Sequence, residues 1–260
     1  MAAYLFLHPF FGIYVFVLGT IIGSFLNCVI WRLHKNETIG GRSYCPQCRE
    51  KISWYDNIPL VSFFILGGRC RNCRGKISWQ YPLVELITGI LFLLVFRINI
   101  NNPDFLIIIG RDWLLIAIFI IIFVYDFRWK LIPMLVVWPM LIIIFIFNLF
   151  LGFLWWELLL FSLLFASFFL AQYLLTKKKG IGEGDIWLGA LIGLAFPDLN
   201  KLLMVILLAY FLGAVIGLVL IYKAGKERKS RVALGPFLSL AAIIVLIWGP
   251  ALINWYFGLF

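Results

Sequence analysis

Two aspartates and four cysteines are the side chains whose type and placement could do chemistry in this chain. Asp126 closes a long apolar run, in Phe123-Val124-Tyr125-Asp126-Phe127-Arg128, and Asp185 opens another, directly after Gly182-Glu183-Gly184. An ionisable group at the edge of an apolar run is costly to place there and marks a candidate site. Two carboxylates at one depth, brought in by different helices, form an acid/base pair. One activates a water and the other, protonated, polarises a peptide carbonyl. Like charges held close resist joint ionisation, which is how such a pair comes to share a proton. Taken singly, each acid has an ordinary explanation: Asp126 as a partner of Arg128, Asp185 as the cap of a helix. The glycines favour the pair. Gly180, Gly182 and Gly184 remove side chains beside Asp185, so another backbone can approach it. Gly189 and Gly193 share a helical face that permits tight packing, which predicts that the helix of Asp185 seats beside the helix of Asp126.

The cysteines make a second constellation. Cys45-Pro-Gln-Cys48 and Cys70-Arg-Asn-Cys73 each begin the repeat Cys-x-x-Cys-Arg-x-Lys-Ile-Ser-Trp, at 45–54 and 70–79. Two such knuckles can offer four thiolates to one tetrahedral zinc. Redox-active pairs or idle thiols are the other readings, and the neighbouring Arg and Lys favour thiolate for metal and redox chemistry alike. All four ligands come from protein, so the zinc would be structural, stapling a polar stretch with little core of its own. The fifth cysteine, Cys28, stands alone in an apolar run and reads as a packing residue.

The elements that must position these groups are membrane spans. Of 260 residues, 64% are hydrophobic and 13% charged, with a mean hydropathy of +1.04. Ordinary soluble domains carry about 25% charged residues. This composition excludes a disordered chain, a secreted disulfide scaffold and a typical cytosolic enzyme. The predicted fold is an all-α polytopic membrane protein of about eight transmembrane helices, with a small cytosolic zinc-knuckle loop domain between spans one and two. The expected domains are 1–30, a first and retained span; 31–81, the four-cysteine domain; and 82–260, a multi-span catalytic membrane domain. The spans are expected near 5–30, 83–98, a third that reaches back across Arg111–Asp112 and ends at Tyr125, 131–151, 156–176, a short one at 186–196, 202–222 and 235–258. Net charge is +10. In this setting it reflects topology rather than nucleic-acid binding, because basic residues collect in cytoplasmic loops. With both termini outside, nineteen of the 22 Lys and Arg fall in inner loops 31–81, 127–130, 177–184 and 223–231, leaving Arg97, Arg111 and Lys201 outside. That asymmetry places Asp126, Asp185 and the cysteines at the cytoplasmic face.

Together these residues resemble the bacterial prepilin peptidases, or type IV leader peptidases, of the GxGD membrane aspartyl protease group. The resemblance runs almost end to end: Gly23-Ser24-Phe25-Leu26-Asn27, both cysteine pairs, Asp56-Asn57-Ile58-Pro59-Leu60, Tyr81-Pro82-Leu83-Val84-Glu85, Asp126 with Ile132-Pro133, Gly180-x-Gly182-x-Gly184-Asp185, and Gly235-Pro236-Phe237-Leu238. It implies a bacterial inner-membrane enzyme that removes the short basic leader of type IV prepilins or pseudopilins at the cytoplasmic face. It also implies N-methylation of the new N-terminal residue from S-adenosylmethionine, and Asp126 and Asp185 as the catalytic pair. Three positions depart from the family: Met134 where Asp is frequent, Trp187 where Lys is, and Gln80 where Arg is. The competing class is a proton- or cation-coupled transporter using Asp126 and Asp185. Transporters usually place such acids near the midplane, whereas these map to one face.

Overall fold

The computed structural model of the chain describes residues 9–177, 180–224 and 233–258. Among them are nine α-helices and one short 3-10 turn, with no β-strand beyond two isolated bridges. The chain forms two compact units, Met1–Phe105 and Leu106–Phe260.

The first unit holds α1 (Pro9–Lys35), a 3-10 turn (Trp54–Asn57), the short α2 (Val61–Ile65) and α3 (Gln80–Asn99). Helices α1 and α3 pack with almost no side chain between them. A Cβ at Gly19 would come 2.7 Å from the Gly89 Cα, and one at Gly23 2.7 Å from the Glu85 Cα. Small residues let helix backbones approach this closely in apolar surroundings. The buried Asn27 then crosses the contact. Its Nδ2 donates to the Tyr81 carbonyl (3.1 Å) and its Oδ1 accepts from Gln80 Nε2 (3.0 Å). In the last turn of α1, the buried Arg32 guanidinium donates to five consecutive carbonyls, Thr38 through Arg42, and folds the following loop around itself.

The second unit holds α4 (Phe105–Trp129), α5 (Met134–Phe150), α6 (Trp155–Leu175), α7 (Glu183–Ala195), α8 (Leu199–Ala224) and α9 (Gly235–Phe257). Five consecutive residues of α4, Ile118 to Ile122, are all buried. A helix apolar on every side is one enclosed on every side. The reverse holds for α6, much of whose surface, including Leu160, Leu163 and Leu174, is exposed. In a membrane protein that surface meets lipid.

Eight of these helices stand at the eight predicted spans. Six are long and apolar enough to cross a membrane, α1, α3, α4, α6, α8 and α9, while α5 has 17 residues and α7 has 13. The chain is a multi-pass α-helical membrane protein, and the two shorter helices do not by length alone count as crossings. At 1.5 Å per residue α7 is about 20 Å long, short of the roughly 30 Å hydrocarbon layer. Residues 225–232, which include most of the predicted inner loop 223–231, lie outside the described residues, as do residues 1–8 of the first span and residues 178–179 of the glycine loop.

The glycine face of α7 corrects one expectation. It does not seat on α4 but on α6. A Cβ at Gly189 would meet the Phe169 ring at 2.5 Å, and one at Gly193 would meet the Ser162 Cα at 2.7 Å and overlap the Phe161 carbonyl. The sequence shows that these glycines need a close neighbour without showing which helix it is. Gly193 faces backbone, which cannot move aside, so Gly193→Ala should destabilise the protein by about 1–3 kcal/mol. Gly217, in α8 with nothing within 4 Å of its would-be Cβ, is the control: Gly217→Ala should be neutral or stabilising by up to about 1 kcal/mol. Thermal unfolding of the two variants in one detergent checks the contrast, and equal melting points would refute the packing.

Candidate active site and metal centre

Three helix ends converge around one turn of chain. Helix α4 ends where Lys130 takes a left-handed φ of 55°, with its N–H on the Asp126 carbonyl (2.8 Å). This turn carries Ile132, and Pro133 caps α5. Ile132 lies between two glycines. A Cβ at Gly184, at the start of α7, would come 2.8 Å from the Ile132 Cβ, and one at Gly235, at the start of α9, would come 3.3 Å from the Ile132 Cδ1. That same Cβ at 235 would overlap the Asp126 carboxylate, which instead receives a hydrogen bond from the Gly235 backbone. Asp126 and Asp185 are both buried, and they lie within electrostatic reach of each other. The structure therefore brings the two sequence-predicted acids into one neighbourhood, walled by Ile132 and two bare backbones.

Asp185 is locked by its own loop. Gly182 is extended, its N–H donates to Asp185 Oδ2 (3.0 Å), and the Asp185 N–H donates to the Gly182 carbonyl (3.2 Å). One carboxylate oxygen thus satisfies a helix-end donor. The cap and the proposed site role coexist. Glu183 turns to α6, where it accepts from the Tyr173 hydroxyl (2.6 Å). Tyr210 on α8 donates to Gln172 Oε1 (2.6 Å) and lies within the field of Asp185. One turn along α9 from Gly235, Ser239 is fully buried, and its hydroxyl is the one buried side-chain polar atom without a partner among the described residues.

Reasoning from residue types alone overlooked the far end of this unit. Asp112, where the third span reaches back across Arg111–Asp112, is buried within α4. Arg111 donates to it (2.9 Å) and to Asn148 Oδ1 (3.0 Å), while Asn148 Nδ2 donates to the Leu194 carbonyl at the end of α7 (2.6 Å). An Arg-Asp pair inside an apolar run was the available signal. Of the three departures from the family, Trp187 packs its ring against Trp138 (5.6 Å), Gln80 holds Asn27, and Met134 opens α5.

The four cysteines come together in the first unit. The Sγ atoms of Cys45, Cys48, Cys70 and Cys73 all lie within 4.8 Å of one another, and Cys45 and Cys73 are 3.9 Å apart. Each knuckle is the same turn. Arg49 and Arg74 are left-handed, at φ 59° and 58°. Their N–H groups donate to the carbonyls of Cys45 (2.8 Å) and Cys70 (3.0 Å), and bridges Tyr44–Lys51 and Arg69–Lys76 close the two hairpins. The N–H of Cys73, with that of Asn72, points at the Cys70 sulfur and draws its thiol down to about 7. Arg71 clamps Asp56 through two hydrogen bonds (2.8 and 2.6 Å), which holds that carboxyl below the usual carboxylate range and ties the second knuckle to the 3-10 turn. Glu85 on α3, buried, accepts the Leu60 N–H (2.8 Å). Four thiolates around zinc at 2.3 Å would stand about 3.8 Å apart, so the cluster could bind a metal such as zinc.

Comparison with known proteins bears on both units. Residues 17–98 match the Bacterial Peptidase A24 N-terminal domain, and residues 113–218 match the Type IV leader peptidase family. The chain is 32% identical over 278 residues to a prepilin leader peptidase/N-methyltransferase of Aeromonas salmonicida, covering 93% of this chain and 92% of that one. It is 32% identical over 286 residues to the protein of that name in Pseudomonas aeruginosa, covering 97% and 96%, and 32% identical over 270 residues to that of Xanthomonas campestris, covering 92% of each. No solved structure matches the chain. A chain alike from end to end with several such enzymes, with both halves matched, belongs to the type IV leader peptidase family.

Proposed function

We propose that the protein is an aspartyl endopeptidase that removes the leader of type IV prepilins or pseudopilins at the cytoplasmic face of the bacterial inner membrane, with Asp126 and Asp185 as its catalytic pair. The observation that carries this reading is the convergence of the two acid-bearing helix ends on Ile132. One carboxylate accepts a proton from water as the water oxygen bonds to the scissile carbonyl carbon. The other, protonated, donates to the carbonyl oxygen. Collapse of the tetrahedral species breaks the C–N bond, and the leaving amine takes a proton from the pair. A prepilin lying with its apolar helix in the bilayer and its basic leader in the cytosol presents that bond at the membrane edge. The 19-to-3 distribution of basic residues supports a cytoplasmic site. Gly182, exposed, leaves backbone open to the peptide, while Glu183, tied to Tyr173, fixes the loop.

Leader cleavage by the purified protein in detergent, read by mass spectrometry, tests the assignment. Asp126→Asn and Asp185→Asn should each abolish cleavage, and the double variant should be scarcely worse than either, because paired groups fail together. Near-normal cleavage by either single variant would refute the pair. Gly235→Ala, which drives a methyl group into the Asp126 carboxylate, should lower kcat with the fold retained.

The names of the relatives join leader removal to N-methylation, and we extend that second activity to this chain, with S-adenosylmethionine as the methyl donor. The same mass spectra report it separately. Methylation of an already cleaved pilin should survive both aspartate changes, and its loss in both would tie the two activities to one set of groups.

In this reading Cys45, Cys48, Cys70 and Cys73 hold one structural zinc. The bound ion would offset part of the charge of four crowded thiolates and staple the two knuckles. Elemental analysis should give one zinc per chain, and Cys45→Ser should release it and loosen the 31–81 segment before the membrane helices. Metal-free protein with four freely alkylated thiols would contradict this.

A further inference from the structure

The short helix α2 is apolar on the side where a water-facing helix would be polar. Val61, Phe64 and Ile65, at i, i+3 and i+4, form one face, and Phe64 and Ile65 are 67% and 75% exposed. The opposite side is built in. Ser62 is buried, with its hydroxyl on the Tyr55 carbonyl (2.8 Å), and the Phe63 ring rests on Trp79 (4.8 Å). Exposed aromatic and aliphatic side chains on a rigid element mark a surface that something covers.

The height of this face is fixed by α3. The N–H of Leu60, directly before α2, donates to Glu85, which lies six residues after Trp79 on α3. Helix α3 has 20 residues, about 30 Å, the thickness of the hydrocarbon layer. Its first turns therefore stand at the membrane edge, and α2 is tied there, within about 9 Å of Trp79 along the axis. Trp79 is itself 63% exposed and heads a stripe of exposed residues, Leu83, Ile87 and Ile90, on one side of α3. This is the lipid-facing side of a span, with a tryptophan at its rim as interfacial belts have.

The charge around it is of one sign. Segment 31–81 carries nine Lys and Arg against three acids. One acid, Asp56, is already taken by Arg71. Gly68, which leads into the second knuckle, lies against the Phe63 ring on the built-in side of α2, and Arg69 and Lys76 are paired across that knuckle's bridge. Neither is in an ion pair among the described residues.

We infer that the four-cysteine module lies on the bilayer rather than free in water: the Val61, Phe64 and Ile65 face enters the headgroup and upper acyl region beside α3, and Arg69 and Lys76 meet anionic phospholipid headgroups. Apolar side chains with flanking basic groups are the chemistry of interfacial anchoring, and basic residues near an anionic surface strengthen it. The inference is independent of the peptidase reading.

The test uses the full chain in vesicles of phosphatidylglycerol and phosphatidylethanolamine, with a spin label on a non-natural side chain at 65. Matching labels at Gly40, exposed with nothing near its would-be Cβ, and at Ile90, on the exposed stripe of α3, serve as references. Label 65 should be reached by oxygen and shielded from a water-soluble nickel chelate, as at 90 and in inversion of 40. In phosphatidylcholine vesicles, or with Arg69→Gln and Lys76→Gln together, its accessibility should move toward that at 40. A label at 64 repeats the measurement should 65 disturb the fold. Behaviour like 40 in anionic vesicles overturns the proposal. So does shielding from both reagents, with or without an added prepilin, which would make the face a protein-docking surface. An unchanged depth without anionic lipid overturns the headgroup contact.

Discussion

The absence of a side chain at residues 184 and 235 is the constraint on which the rest of the second unit depends. Ile132 fills the space both positions leave, and it is the pivot between the end of α4 and the starts of α7 and α9. A methyl group at 184 would push Ile132 away, and one at 235 would occupy the volume of the Asp126 carboxylate. Because protein interiors are close-packed, the first displaces the side chain that joins the helix ends and the second displaces the carboxylate. Two acids from distant parts of the chain come into one neighbourhood where these backbones are bare.

Helix α7 is too short to be held by lipid alone, and it is fastened at both ends. At its start, Asp185 closes on Gly182 and Glu183 takes the Tyr173 hydroxyl. At its end, Asn148 takes the Leu194 carbonyl and is itself held by Arg111, which is paired with Asp112. A helix end left without partners in apolar surroundings is expensive, and a polar group buried there is expensive unless paired. The Arg111–Asp112–Asn148 cluster satisfies both demands at once. Between the fastenings, Gly189 and Gly193 lay α7 against α6, so Asp185 sits on a rigid element as well as being tied to the loop before it.

Much of this was legible in the sequence because the membrane makes it so. Apolar runs separated by basic loops place the helices, and Asp126 and Asp185 stand out where few charges occur. The repeated Cys-x-x-Cys-Arg-x-Lys-Ile-Ser-Trp motif shows that two identical turns must meet, and they do, down to matching left-handed Arg49 and Arg74. What stayed hidden were choices of partner. Gly189 and Gly193 call for a close neighbour, but α4 and α6 are equally apolar in sequence, and only the fold selects α6. The same holds for Gly235, whose Gly-Pro context reads as a helix start and gives no sign of the carboxylate beside it. The far polar cluster stayed hidden in the same way: the Arg111–Asp112 pair shows in the sequence, but Asn148, which accepts from Arg111, lies 37 residues further on, on the next helix.

The central claim is that one peptide carbonyl can reach both acids at the Ile132 pivot. A structure of the Asp126→Asn protein with an uncleaved prepilin bound measures this directly. The account predicts the scissile carbonyl at the Ile132 pivot, within hydrogen-bonding reach of both the residue-126 amide and the Asp185 carboxylate, with the peptide backbone running past Gly184 and Gly235. A prepilin whose leader junction lies away from either acid, for example at the Arg111–Asp112 end, would contradict it.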